Sequence, residues 1–205
     1  MSNFTKKLHE IIRVDHAGEM GAKVIYDGQM AAMKLRGDVE TLELVKHMKE
    51  QEDQHFDYFD ATMKQQKVRP TLMQPIWKVG GFTLGFLTAL AGKKAAMTCT
   101  TAVEEVIDEH YQEQIEFLTN VGATGGRPLE DREPHGRRTV APTSPVQQQT
   151  NVTELKEKIE KFRAEEIEHR DIAYDHRASD FVAFTPLSSF IKATTKFAIA
   201  VSKKI

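Results

Sequence analysis

The stretch Glu52 to Asp60, "EDQHFDYFD", places a glutamate and a histidine three positions apart, and "EIEHRDIAYD", Glu166 to Asp175, repeats that pair. On an α-helix this spacing leaves the two side chains about 60° apart on one face, so both can reach one metal ion. A single pair arises easily by chance on a charged helix. Two pairs form a dinuclear site only if two further helices of a bundle each add a carboxylate.

A second repeat supplies these carboxylates. "EMGAKVIYDGQM", from Glu19, and "EEVIDEHYQEQI", from Glu104, both place a tyrosine seven and a glutamine ten residues after the first glutamate. The separation is 33 positions from Glu19 to Glu52 and 62 from Glu104 to Glu166, and the excess of 29 equals the length of the segment 122–150. The sequence therefore predicts a duplicated helical hairpin and one metal site built from Glu19, Glu52, His55, Glu104, Glu166 and His169.

The donor set of this site indicates which metal it holds. Carboxylate oxygens combined with imidazole favour iron or manganese, and the absence of a thiolate cluster argues against structural zinc. Four carboxylates also balance the charge of two divalent ions, which limits the cost of burying the site. We therefore expect two iron ions that cycle between Fe²⁺ and Fe³⁺.

The rest of the chain is typical of an all-α protein, because apolar residues recur at spacings of three and four and no convincing strand pattern appears. We expect one domain over 1–205, interrupted by a flexible Pro/Gly-rich loop at 122–150. Asp38 is a candidate N-cap, and Asn151 with Glu154 resembles a capping pair. The six predicted helices cover about 4–35, 38–67, 72–91, 93–120, 151–178 and 181–203.

Composition excludes several classes of protein. Lys and Arg total 28 against 30 Asp and Glu, so no basic face favours nucleic-acid binding. The one cysteine, Cys99, excludes an internal disulfide and is expected to be a buried, inert thiol. The N-terminal residues lack an apolar secretion signal, and the longest uncharged run, 79–92, is shorter than the about 20 residues of a spanning helix. We therefore expect neither secretion nor a transmembrane segment.

Taken together, the motifs resemble the demethoxyubiquinone hydroxylase family, the Coq7/Clk-1 type di-iron proteins of ubiquinone biosynthesis. The resemblance rests on "RVDHAGEMGAKVIYDGQM", "QEDQH", "RPT", "AVEE" followed by "HY", and "EEIEHRD" followed by "DH", and it covers almost the whole chain outside 122–150. It implies a ferritin-like four-helix bundle that uses O2 to hydroxylate the ring of a demethoxyubiquinone. The family's six metal ligands fall on the six residues named above. The long proline-rich loop departs from the family pattern.

The resemblance also implies cofactors, partners and a location. Electrons could come from NADH, some family members work with a lipid-binding companion, and a homodimer remains open. The protein would be peripheral, on the cytoplasmic face of the bacterial inner membrane or the matrix face of the mitochondrial inner membrane. Apolar segments at 72–97 and 181–205 fit helices that lie in a membrane interface, although core packing or a dimer contact would give the same pattern.

Several residues near the motifs are candidates for supporting roles. Tyr26 and Tyr111 fall on the ligand face and could line a pocket, relay protons or simply pack, with packing expected for at least one of them. His110 lies about 120° from Glu104 around the helix, which favours an indirect role over ligation, and it matches a family position near the site. His16 could support the site, point to the surface or sit in the core. Asp57 and Asp171 could each support a histidine on another helix.

The sequence thus favours a di-iron monooxygenase that acts on a polyprenyl quinone. Two other functions stay open at this point. The first is a ferritin-like protein that oxidises and stores iron with the same ligands. The second is a non-catalytic lipid-binding scaffold in which the metals are structural.

Overall fold

The computed structural model describes residues 2–123 and 145–204, and this part of the chain is helical with no strand. The predicted all-α class is confirmed. The elements are α1 (Asn3–Arg36), α2 (Val39–Gln65), α3 (Gln74–Leu90), α4 (Lys93–Ala123), α5 (Pro145–Asp175), a 3₁₀ turn (Ala178–Asp180) and α6 (Phe184–Ser202).

Four of the helices form a ferritin-like bundle made from two hairpins. Helix α1 packs along α2, and α4 packs along α5, as the repeated motifs predict. The two additional helices pack outside these hairpins, α3 against α1 and α6 against α4. The duplication in the sequence is therefore a duplication of the fold.

The core of the bundle is split into two apolar clusters. One contains Phe4, Phe59 and Phe162, and the other contains Met33 and Met48. Along every bundle helix the repeated Glu or Glu-x-x-His motif lies between residues of the first cluster and residues of the second. The polar motifs therefore occupy one central layer that apolar layers close off from solvent at both ends.

Local capping sets the turn of the first hairpin. Gly37 ends α1 with φ +69°, a left-handed conformation that glycine adopts without a steric penalty. Asp38 then accepts a hydrogen bond from the backbone N–H of Thr41 at 3.1 Å, as expected of an N-cap. The prediction for Asp38 is confirmed.

The boundaries around the predicted loop need correction. Helix α4 continues to Ala123, and α5 begins at Pro145, six residues before the predicted start at Asn151. A proline is well tolerated at the first position of a helix, and the glutamines after it are good helix formers. The prediction that Asn151 and Glu154 cap the start of α5 is therefore wrong. Both ends of the segment 122–150 are helical. The rest of that predicted loop lies outside the described residues.

The end of α5 is also earlier than predicted. This helix stops at Asp175, and Arg177 takes a left-handed conformation with φ +67° before the 3₁₀ turn. Helix α6 begins at Phe184. The chain breaks here because it must turn from the bundle onto the outer surface of α4.

Helices α1 and α3 cross at backbone contact. A Cβ atom on Gly85 would lie 1.9 Å from the carbonyl oxygen of Ile25, and one on Gly28 would lie 2.2 Å from that of Phe82. Both obstacles are backbone atoms, so no side-chain rotation relieves them. Only glycine permits this crossing.

We expect Gly85→Ala to lower the free energy of unfolding by more than about 2 kcal/mol, because the added methyl group must separate two packed helices. Gly80→Ala on the same helix is the matched control, since nothing lies within 4 Å of its Cβ position. It should leave stability unchanged or raise it by up to about 1 kcal/mol through helix propensity. Chemical denaturation measures both, and equal effects would show that the crossing is not tight.

The outer helices expose large apolar side chains. On α3 and just before it these are Leu72, Ile76, Val79, Phe82, Leu87 and Leu90, and around α6 they are Val182, Phe190 and Phe197. Val182 is 98% exposed and Val79 is 70% exposed. None of the helices in the described part of the chain is long and apolar enough to cross a bilayer.

Candidate metal centre

The six predicted ligands come together in the central layer of the bundle, and all are buried: Glu19, Glu52, His55, Glu104, Glu166 and His169. They form two overlapping groups whose ligand atoms lie within 4.8 Å of one another. One group contains Glu19, Glu52, His55 and Glu166, and the other contains Glu52, Glu104, Glu166 and His169. Each group is a set of four donors that could hold one ion.

Glu52 and Glu166 belong to both groups and lie between the two histidines. The Oε1 and Oε2 atoms of Glu166 lie 3.0 Å from Nδ1 of His55 and 3.2 Å from Nδ1 of His169, respectively. Glu52 also lies between the two histidines: its Oε2 is 3.9 Å from Nδ1 of His55, and its Oε1 is 3.2 Å from Nδ1 of His169. Each of these carboxylates therefore has one oxygen for each metal position.

The outer nitrogens of the histidines contact residues that the sequence analysis missed. Nε2 of His55, on α2, lies 2.7 Å from Oε2 of Glu165 on α5. Nε2 of His169, on α5, lies 2.7 Å from Oε1 of Gln51 on α2. Such contacts fix the ring so that Nδ1 faces the carboxylates. The signal was present in the sequence, because Gln51 and Glu165 each precede the glutamate of a Glu-x-x-His pair.

The tyrosines of the repeat brace the opposite hairpin. Tyr26, on α1, donates a hydrogen bond to Oε1 of Glu104 on α4 at 3.0 Å. Tyr111, on α4, donates a short hydrogen bond to Oε1 of Glu19 on α1. Both hydroxyls are therefore committed to a carboxylate, and the expectation that at least one tyrosine simply packs is wrong.

Crowding of buried carboxylates shifts the pKa values of the residues in this cluster. Burial, and then the neighbouring charge of Glu166, raises the pKa of Glu52 well above its usual value, and the same causes raise the pKa of Glu104. Burial alone would lower the histidine pKa values. Hydrogen bonding to Glu166, together with the nearby negative charge of a second carboxylate, instead raises the pKa of His55 to about 12 and that of His169 to about 11. These raised pKa values indicate that His55 and His169 are protonated at neutral pH when no metal ion is bound.

Several buried carboxylate oxygens of the cluster have no hydrogen-bond partner, and they show whether the site suits a metal ion. Both oxygens of Glu52 and Oε2 of Glu104 accept no hydrogen bond, although Oε1 of Glu52 lies near Nδ1 of His169. Buried carboxylate oxygens are normally hydrogen-bonded or bound to metal. The two Glu52 oxygens lie 3.2 Å from Nδ1 of His169 and 3.9 Å from Nδ1 of His55, and Glu104 belongs to the same ligand group as His169. The residues therefore fit two divalent ions with oxygen and imidazole ligands.

Other candidate residues lie outside this cluster. His110 is hydrogen-bonded to Gln114, and burial with nearby Lys203 and Lys7 lowers its pKa to about 4, so it is neutral. His16 is buried against Phe56, with Nε2 3.5 Å from Asp60, so its place is in the packing of α1 against α2.

Two aspartates and the cysteine also lie away from the metal centre. Asp57 and Asp171 are exposed, so neither supports a histidine. Cys99 is fully buried, as expected, and burial raises its thiol pKa to about 12. The thiol is therefore an inert part of the core.

An apolar cavity of about 300 Å³ reaches the same layer from the side of α3 and α6. Small residues of α1 and α3, including Gly21 and Gly80, create the space, and Trp77 and Phe190 form part of its wall. The lining residues Gly18 and Val103 directly precede Glu19 and Glu104 in the chain. The helical turns that carry two of the carboxylates therefore form the inner wall of the cavity.

Comparison with known proteins identifies the family. The family described as "Ubiquinone biosynthesis protein COQ7" matches residues 6–202. The chain is 38% identical over 198 residues to the NADPH-dependent 3-demethoxyubiquinone 3-hydroxylase of Dictyostelium discoideum, covering 97% of this chain and 77% of that protein. It is 40% identical to the 3-demethoxyubiquinol 3-hydroxylase of Rhodospirillum rubrum, covering 97% and 78%.

The human relative, named NADPH-dependent 3-demethoxyubiquinone 3-hydroxylase, is 41% identical over 195 residues, covering 95% of this chain and 76% of the relative. Similarity of this extent spans both hairpins, both outer helices and all six residues of the candidate centre. The chain therefore belongs to the COQ7 family of ubiquinone biosynthesis proteins.

Proposed function

We propose that this chain hydroxylates the ring of a demethoxyubiquinone or demethoxyubiquinol, using O2, at a centre of two iron ions. The observation that carries this proposal is the pair of overlapping buried ligand groups that share Glu52 and Glu166. The names of the relatives support the substrate and the reaction. The proposed ligands are Glu19, Glu52, His55, Glu104, Glu166 and His169.

The overall reaction needs an external reductant. One oxygen atom enters a ring C–H bond and the other leaves as water, which requires two electrons and two protons in addition to those of the substrate. The relatives from Dictyostelium and human are named NADPH-dependent, so a reduced nicotinamide is the proposed source of electrons. NADH, which was expected from the family resemblance, is the other common member of that class. Two iron ions held by these six residues would supply the O2 reduction that side chains alone cannot perform.

The protein's own residues orient the ligands. The hydroxyl of Tyr26 donates to Oε1 of Glu104, and Oε2 has no hydrogen bond, so it is the oxygen that could bind a metal ion. Tyr111 holds Glu19 in the equivalent way. Burial and the nearby carboxylates raise the pKa values of both tyrosines, so each keeps the proton that it donates. Tyr26 and Tyr111 are thus proposed as positioning residues, and an indirect role for His110 remains a prediction.

The apolar cavity is the proposed quinone site. Its volume of about 300 Å³ suits an aromatic ring with its substituents, and its walls exclude water from the reacting atoms. An open groove between α3 and the region before α6 shares Gly80 and Leu84 with the cavity. This groove is the proposed route for the polyprenyl tail.

The surface at the outer end of this route fits a bilayer. The exposed side chain of Leu87 lines the groove, and the exposed Val79 and Val182 are chain neighbours of lining residues. A polyprenyl quinone resides in the membrane hydrocarbon. We therefore propose peripheral attachment to the cytoplasmic face of a bacterial inner membrane or the matrix face of the mitochondrial inner membrane. A lipid-binding protein of the same pathway or a second copy of the chain would compete for this surface.

Filling the cavity tests the quinone site directly. Gly21→Leu places a side chain where the added Cβ meets nothing within 4 Å, so the fold should accept it. We expect at least about a tenfold loss of affinity for a short-chain demethoxyubiquinone, measured by fluorescence quenching of Trp77, with unchanged iron content. Gly21→Ala is the matched control and should change the affinity less than about threefold. Equal affinities for wild type and Gly21→Leu would place the ring elsewhere.

Quinone analysis tests the proposed function in the cell. Cells that lack this protein should accumulate a demethoxy intermediate at the expense of ubiquinone, and the wild-type chain should restore the normal pool. An iron-storage protein or a scaffold with no catalytic role predicts no such specific intermediate. Unchanged quinone pools would favour iron storage.

A further inference from the structure

The two histidines of the centre differ in the group that binds their outer nitrogen. At His55 this group is the carboxylate of Glu165, and at His169 it is the amide of Gln51, at the same distance of 2.7 Å. Gln51 and Glu165 occupy equivalent positions in the repeat. The two histidines therefore differ in the charge of the group at Nε2, while the distance to that group is the same.

The other donors of the two metal positions are closely matched. Each position has one carboxylate braced by a tyrosine, Glu19 with Tyr111 and Glu104 with Tyr26. Each also has one histidine Nδ1 and one oxygen from each of the two shared carboxylates. The outer partner of the histidine is thus the principal difference in charge between the positions.

Glu165 is held in place from both sides. Nζ of Lys161 lies 3.1 Å from Oε1 of Glu165, and Oε2 contacts His55. The ring of His55 also lies against Phe162, with 4.1 Å between ring centroids. The orientation of His55 is therefore fixed before any metal arrives.

A carboxylate that accepts the N–H of a metal-bound imidazole makes that imidazole a stronger donor, and a neutral amide does so less. We propose that the two metal positions are unequal and that the position of Glu19 and His55 binds a divalent ion more tightly than the position of Glu104 and His169. Glu165 and Gln51 are the positioning residues that set this difference. The inference rests on the proposed metal centre and goes beyond it.

The test measures each position separately with Mn²⁺ under anaerobic conditions, by calorimetry and by the EPR signal of isolated ions. Glu104→Gln leaves the position of His55, and Glu19→Gln leaves the position of His169. We expect a Kd at least about tenfold lower in the first background. Adding Glu165→Gln should raise Kd about tenfold in that background and less than about twofold in the other.

Two further variants make the test independent of one substitution. Gln51→Glu should lower Kd only in the background that keeps His169, and exchanging both residues should reverse the order of the two affinities. Glu168→Gln is the control, since it makes the same change of charge at an exposed position of α5, and it should change Kd less than about twofold.

The outcomes separate this inference from the proposed function. Equal Kd values in the two backgrounds would overturn the inequality while leaving the metal centre intact. The inequality would also be overturned if Glu165→Gln raised Kd equally in both backgrounds, because an equal rise indicates a general effect on folding. If the wild-type chain bound no Mn²⁺ and no Fe²⁺, the metal centre itself would be contradicted.

Discussion

Glu166→Ala is expected to remove most of the bound metal and to abolish ring hydroxylation. Glu166 is one of two residues that belong to both ligand groups, and its oxygens lie 3.0 Å and 3.2 Å from Nδ1 of His55 and His169. Its loss removes a donor from both positions at once. Iron per chain should fall to less than half the wild-type content, and turnover should fall by at least about 10³-fold.

The matched control is Glu168→Ala, which removes an exposed glutamate from the same helix. This variant should keep wild-type iron content and activity. Both variants should still associate with membranes, because the exposed apolar residues of α3 and α6 are unchanged. Full hydroxylation by Glu166→Ala would remove the site assignment, and activity lost equally in both variants would point to a defect in α5 as a whole.

The same substitution distinguishes the alternative functions. A scaffold should keep its biosynthetic complex when Glu166 is replaced, and the quinone pool should stay normal. An enzyme should accumulate the demethoxy intermediate even though the protein is present. An iron-storage protein should lose iron oxidation and leave the quinone pool unchanged.

The second large effect is a dependence of metal binding on pH. In the metal-free protein the pKa values of His55 and His169 are raised to about 12 and about 11, against 6.5 in an unfolded chain. Their contribution to folding is complete below pH 6.5 and is lost as the pH rises towards these values. The raised pKa values of Glu52 and Glu104 act with the same sign from about pH 4.5 upwards.

Glu166 acts in the opposite direction. Burial would raise its pKa, but hydrogen bonds from His169 and His55 lower it below its usual range. The stability that it contributes is present above pH 4.5 and is lost as the pH falls further. The metal-free protein should therefore be most stable in mildly acidic solution and lose about 1 kcal/mol or more per pH unit between pH 6.5 and 8.5.

Metal ions take the place of these protons, so the loaded protein should not show that loss. The difference in Tm between metal-loaded and metal-free protein should widen as the pH rises from 6.5 to 8.5. Calorimetric titration with Mn²⁺ at pH 7 in buffers of different ionisation enthalpy should reveal at least two protons released per chain, one from each histidine. A binding enthalpy that is the same in every buffer would refute the protonated metal-free cluster.

The sequence predicted the candidate ligands because their spacing follows simple periodicities. A spacing of three residues on a helix and the equal register of two repeats are enough to place four carboxylates and two histidines in one layer. The same register predicted that the tyrosines face that layer. It could not predict that each tyrosine binds a carboxylate of the other hairpin, because this depends on how the hairpins meet.

Contacts between separate helices account for the other omissions. Glu165 lies beside a ligand in the sequence, yet its partner His55 is on another helix, and Gln51 with His169 is the same case. The backbone contact at Gly28 and Gly85 likewise depends on the crossing of α1 and α3. A composition rich in proline and glycine predicts a loop throughout 122–150, yet α5 begins at Pro145, because proline is tolerated at the first position of a helix.

One measurement tests the central claim most directly: a single turnover of the purified, iron-loaded and reduced protein with a short-chain demethoxyubiquinol under ¹⁸O2. The account predicts a ring-hydroxylated product that carries one ¹⁸O atom, in a yield that follows the fraction of chains with two iron ions. A chain with two iron ions that yields no hydroxylated product, or a product whose new oxygen comes from water, would contradict it.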